Sequence, residues 1–255
     1  MPGTLADNCA FLSGRVNEVG LLFFQAAESL VYGKAEIPAA LGLLPLTFHL
    51  HLPIDMPIYR QGATDGQAME SADICLELLN KIKYLNRCAQ KRQKLPAHCP
   101  AVLHPPAHEK SDTLRASRLL DTFAARFSIK GGNPSLLLLE NVRDNDLTGL
   151  QAVIKEYGFG VCPDLGHLLA YEQASLLNNR FLLERAGIVH LNAPGKNDRP
   201  GAHLPLSALD SQGRKACMRL LDAVPETAVI MLELFNWQDI EKSLPLIHSW
   251  LLPLP

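Results

Sequence analysis

The sequence has no long hydrophobic run, no cysteine pair at motif spacing and almost no excess of either charge. Its longest apolar stretches, such as Ser135–Glu140 and Val229–Leu234, are strand-sized and far short of the ~20 residues that span a bilayer. That excludes a transmembrane helix and leaves no membrane partner. The N-terminus lacks a basic segment followed by an apolar one, so no secretory leader is read and the cytoplasm is the default location. The six cysteines never form C-x-x-C, and 255 residues bury a core without staples, so they read as reduced packing residues. Lys and Arg number 24 against 26 Asp and Glu, a net charge of -2. No five like charges run together, which argues against gripping nucleic acid through basic surface. Gly/Ser linkers, low-complexity tracts and obvious repeats are missing too, so a single domain over residues 1–255 is the simplest organisation.

What is present is alternation. Short apolar runs suited to buried parallel strands occur at Val19–Phe24, Leu46–Leu52, Ala101–His104, Leu136–Glu140, Gly160–Asp164, Ile188–Asn192 and Val229–Glu233. Between them lie segments with apolar residues three and four apart: Ala68–Lys83, Thr113–Phe127, Asp146–Tyr157, Ser211–Ala223 and Trp237–Trp250. Ser111 before Asp112, and Asp146 after Asn145, read as helix starts. Repeated βα units imply an α/β chain with a parallel sheet, and the length suits a (β/α)8 TIM barrel. Eight strands would complete it and seven are read. The chain opens on a loop and a helix start, so the first strand is expected to be missing from the N-terminus, with roughly 5–10 residues preceding Met1 in the native product.

Functional residues of a parallel barrel gather at the C-terminal strand ends. Those ends carry His49 and His51, then His104, Glu140, Asp164 with His167 three residues on, His190 with His203 in the following loop, and Glu233. Every run after the first thus ends in a side chain able to bind a metal. His49 and His51 share one face of their strand; His51, nearer the end, is the better ligand, leaving His49 for packing or substrate. His108, beside two prolines, reads as a solvated loop residue. Glu140 follows four leucines, where a carboxylate is costly unless paired or coordinated; Arg143 is the partner that a purely structural Glu140 would need. Glu233 poses the same problem. Imidazoles mixed with carboxylates suit Zn²⁺, Mn²⁺ or Fe²⁺ better than Ca²⁺. Lys196 and Arg199, in the loop after His190, are placed to meet a substrate anion.

The ordered set His51, His104, Glu140, Asp164-x-x-His167, His190, His203 and Glu233 resembles the ligand series of the xylose isomerase-like barrels of endonuclease IV type. A narrower resemblance, carried by Pro2–Asn8, Val16–Phe24 and His49–Pro57, is to the phosphodiesterases that cut the nucleotide loop of cobamides. The chain departs from these patterns at Gly201, where the endonuclease series has Asp, and at Gln25, where an acid is expected. The resemblance implies a hydrolase with two divalent ions. Glu140 would bridge them, Asp164, His190 and Glu233 completing one and His51 and His104 the other. His167 and His203 would hold a third ion or contact phosphate. The alternative is a sugar or sugar-phosphate isomerase or epimerase, with one ion on Glu140, Asp164, His190 and Glu233 and the two glutamates moving protons. A repair endonuclease is disfavoured by the charge balance, and an inactive binding barrel by the intact ligand series. The partner in either leading reading is a small molecule, a corrinoid or a sugar phosphate.

Overall fold

Each apolar run is a short buried strand in the computed structural model, which describes residues 3–86, 100–106, 113–195, 199 and 201–251. Seven strands are found among the described residues: β1 (Glu18–Leu22), β2 (Thr47–His51), β3 (Ala101–Leu103), β4 (Leu137–Glu140), β5 (Gly160–Cys162), β6 (Ile188–Leu191) and β7 (Val229–Leu232). The helices are α1 (Leu5–Leu12), α2 (Ala26–Val31), α3 (Asp65–Ile82), α4 (Thr113–Ile129), α5 (Gln151–Tyr157), α6 (Leu165–Ala170), α7 (Ala174–Leu177), α8 (Arg180–Leu183), α9 (Ser211–Ala223) and α10 (Trp237–Leu251). None is long and apolar enough to cross a membrane. The chain forms two compact units, one holding most residues up to 137 and the other those from 138 onward.

In the first unit β1 pairs parallel with β2 over five rungs, from Glu18↔Thr47 to Leu22↔His51, and β2 pairs parallel with β3. Helix α3 starts on a capping box in which Thr64 and Gln67 satisfy each other's backbone N–H. Ala68, Ala72, Cys75, Leu78 and Ile82, three and four apart, form its buried stripe. On α4 the stripe includes Leu120, Phe123 and Phe127, whose rings stack at 5.9 Å. Arg126 joins the two helices through both oxygens of Asp73, at 2.9 and 2.7 Å. That pair is exposed, so it contributes little to stability.

In the second unit β4 pairs parallel with β5 from Leu138↔Gly160 to Glu140↔Cys162, and β6 with β7 from Ile188↔Val229 to Leu191↔Leu232. Bridges at Val161↔Ala186 and Asp164↔His190 tie β5 to β6. Side chains alternate along a strand, so Val189 and Leu191 point one way, into a core with Leu165, Leu206, Cys217 and Leu220. His190 points the other. The helix read as Asp146–Tyr157 starts later, at Gln151. Leu147 takes a left-handed φ of 66°, and Asp146 spends its carboxylate on the N–H and hydroxyl of Thr148, at 3.0 and 2.6 Å, building a turn ahead of α5. The helix start read at Ser111 lies outside the described residues.

Candidate metal centre

The second unit brings six of the expected residues to the C-terminal ends of its strands. Glu140 closes β4 and is 1% exposed. Its Oε1 lies 2.8 Å from Nδ1 of His190, on β6. Glu233, just past β7, brings Oε2 to 3.3 Å from the same nitrogen and to 3.2 Å from Nδ1 of His203. Asp164, past β5, is the N-cap of α6. Its Oδ1 accepts the His167 backbone N–H at 2.5 Å and its Oδ2 accepts Nδ2 of Asn192 at 2.7 Å. His167 turns Nδ1 to the Asn141 carbonyl at 2.8 Å, leaving Nε2 for other work.

Charge at this place is heavily perturbed. Burial pushes the Asp164 carboxyl up to about 6, opposed by His167 and helped by the Glu233 and Glu140 charges. Burial alone would hold the His190 imidazole down, but Cys162, Glu233 and Glu140 carry it well above its ordinary value. His203 is likewise pulled down by burial yet raised to about 9 by Glu233. Burial pushes Glu233 up, and His190 and His203 more than reverse it. Three carboxylates in one buried cluster therefore need cations, and protons on histidine supply them when no ion is bound.

Two features of the cluster fit a metal better than protons. Nδ1 of His190 faces two carboxylates and has at most one N–H to share between them, and Oε2 of Glu233 is buried without a hydrogen bond. Ligand bonds of ~2.1 Å at right angles put neighbouring donor atoms roughly 3 Å apart, and the pairs Glu140–His190, His190–Glu233 and Glu233–His203 stand at 2.8, 3.3 and 3.2 Å. The donor atoms of Glu140, His190 and Glu233 all lie within 4.8 Å of one another, as do those of Glu140, Asp164 and His167. Mixed carboxylate and imidazole donors suit a divalent transition ion.

In the first unit, His51 and His104 end β2 and β3 with their rings edge to face at 5.2 Å. Nδ1 of His51 meets the Leu52 carbonyl at 3.0 Å, the kind of backbone contact that fixes the ring of a metal-binding imidazole. His49 sits deeper in β2, its Nδ1 2.7 Å from Oε1 of Glu18 at the start of β1. Burial pushes the Glu18 carboxyl up, but His49 and Thr47 bring it net below its ordinary value. Arg143 is exposed and stands over the Tyr171 ring at 5.7 Å. Arg199 is exposed, while Lys196 and His108 lie outside the described residues. Asn141, Gln173 and Asn192 were missed by the sequence reading, although Asn141 and Asn192 follow Glu140 and His190 by one and two residues.

No protein-family model matches the chain, and no curated protein matches it in sequence. Solved structures do. A D-tagatose 3-epimerase-like protein is 15% identical over 92% of this chain and 88% of its own, with a TM-score of 0.64. A xylose isomerase domain protein from Alicyclobacillus acidocaldarius is 14% identical over 97% and 93%, at 0.56. D-allulose 3-epimerase from Methylomonas sp., in complex with D-allulose, is 14% identical over 92% of both chains, at 0.51. At such identities the likeness shows the fold, α/β of the xylose isomerase-like TIM-barrel type.

Proposed function

We propose that the chain is a divalent-metal-dependent epimerase or isomerase of a small polyhydroxylated carbonyl compound, a ketose or its phosphate. The observation that carries this reading is the pair of glutamates, Glu140 buried and Glu233 partly buried, both reaching Nδ1 of His190, at 2.8 and 3.3 Å. Inverting a carbon beside a carbonyl needs two acid–base groups converging on one point. One glutamate takes the proton from that carbon and the other, protonated, delivers one to the opposite face; the two thereby exchange protonation states, and proton exchange with solvent resets them before the next turnover. An ion held by Glu140, Asp164, His190 and Glu233 would supply Lewis acidity toward the carbonyl and its neighbouring hydroxyl. Burial of the cluster keeps water from competing for the proton. The epimerases named among the structural neighbours support this choice. Arg199, with Lys196 before it in the chain, is where a phosphate on the substrate would be met.

A second reading, cleavage of a phosphodiester at two ions, rests on His51 and His104, which a one-ion epimerase does not need and which stand ring against ring. Its substrate would be the nucleotide loop of a cobamide, as the sequence resemblance implies. One experiment separates the two. Protein loaded in turn with Mn²⁺, Zn²⁺ or Fe²⁺ is incubated in D₂O with a panel of ketoses and ketose phosphates and followed by NMR. Deuterium at the carbon beside the carbonyl, together with the epimer, is expected, and Glu140→Gln abolishes both. Loaded protein that exchanges no deuterium but releases nucleotide product from a cobamide overturns the epimerase in favour of the hydrolase.

A further inference from the structure

Three buried amide side chains stand among the strand ends of the candidate centre, and neither holding an ion nor moving a proton uses them. Asn141 directly follows Glu140. Its Oδ1 accepts the Asp164 N–H at 2.7 Å and its Nδ2 donates to the Asp164 carbonyl at 3.1 Å. The side chain thus stands in for a backbone rung one step beyond Glu140↔Cys162, where pairing of β4 with β5 ends. The same Nδ2 donates to Oε1 of Gln173 at 2.8 Å, and Gln173 returns Nε2 to the Val142 carbonyl at 2.6 Å. Asn192, two residues after His190, donates Nδ2 to Oδ2 of Asp164 at 2.7 Å. Asp164 is held at its N–H, its carbonyl and both carboxylate oxygens.

We propose that Asn192, on the carboxylate of Asp164, and Asn141, on its main chain, are positioning residues, an amide clamp that holds Asp164 in one orientation so that it is a preformed ligand of the centre. The inference rests on the metal-dependent reading above. Its chemistry explains the residue type. A lysine or arginine here would also orient Asp164 but would cancel the charge that draws a cation, whereas an amide donates a hydrogen bond and leaves that charge in place. Each carboxylate oxygen has lone pairs to spare after accepting one bond, so Asp164 can be clamped and still coordinate. Gly166 completes the device: a Cβ there would lie 1.7 Å from Oδ1 of Asn192, so only glycine lets the amide pass.

The test is calorimetric titration of metal-free wild type, Asn192→Ala and Asn192→Ser with Mn²⁺ and with Zn²⁺, beside the kcat and KM of the loaded forms. Partners that orient a metal ligand typically contribute about 10–100-fold in affinity, and a loss of that size is expected in both variants. With substrate contacts intact, kcat should fall while KM stays near the wild-type value. Variants that bind the ion as tightly as wild type overturn the clamp and leave the metal-dependent reading standing. Wild type that binds neither ion overturns both. Should Asn192→Ala not fold, Asn192→Ser, which keeps a small polar group, is read in the same way.

Discussion

Gly166→Ala isolates one contact beneath the centre. The substitution carries no backbone penalty of the left-handed kind, since Gly166 is not among the positive-φ glycines, and inside α6 alanine would ordinarily gain about 1 kcal/mol. The new Cβ, however, meets Asn192 at 1.7 Å from Oδ1 and 2.7 Å from Cγ, so the amide must leave. Losing its bond to the Asp164 carboxylate costs about 1.5–3 kcal/mol, and forcing a methyl into packed space about 1–3 kcal/mol. Net destabilisation of about 1.5–5 kcal/mol follows, or a Tm lower by roughly 3–20 °C for a chain of this size. Urea and thermal unfolding of the metal-free protein measure it. The double variant Gly166→Ala, Asn192→Ala relieves the clash and should be more stable than the sum of the single changes implies. A Gly166→Ala protein as stable as wild type would refute the packing argument.

Metal binding to the centre should itself stabilise: an ion at 100 times its Kd contributes about 2.7 kcal/mol, seen as a rise in Tm on adding Mn²⁺ or Zn²⁺, and Glu140→Gln should lose that rise. Glu18 has a carboxyl held below the ordinary value of 4.5, so its pairing with His49 stabilises above that pH and the contribution is lost as pH falls through the lowered value. Glu18→Gln should therefore flatten the acid side of the stability curve, and an unchanged acid slope would remove Glu18 from it. Cys9, Cys75, Cys162 and Cys217 are free and buried, and burial raises their thiols, to about 11 for Cys9 and about 12 for Cys162 and Cys217. Peptide mapping after treatment of the native protein with a water-soluble thiol reagent should find these four unlabelled; modification of any one before unfolding would contradict its burial.

All seven strands were legible because each is a short apolar run, and Glu140 stood out as a carboxylate after four leucines. Helix α5 was read too long because Asn145–Asp146 suggests a helix start, whereas Asp146 closes its own turn and Leu147 leaves helical space. His49 and His51 share one face of β2 and their order along the strand made His51 the better ligand; what the sequence did not show is that His49 is taken up by Glu18, 31 residues earlier. The amides around Asp164 gave no signal, since a neutral side chain shows neither charge nor ligand chemistry until its partners are known.

The parallel register of β4, β5, β6 and β7 has a consequence for how such a chain can vary in length. Glu140 faces Cys162, Asp164 bridges His190, and His190 faces Met231, so the candidate ligands occupy fixed rungs. One residue gained or lost inside β6 would turn His190 into the helical core and present Val189 or Leu191 to the centre, an all-or-none change rather than a gradual one. Length changes in the connections leave those rungs in step. Lineages of this chain should therefore drift in loop length, outside the connection after β6 that carries His203, while their strands stay in frame.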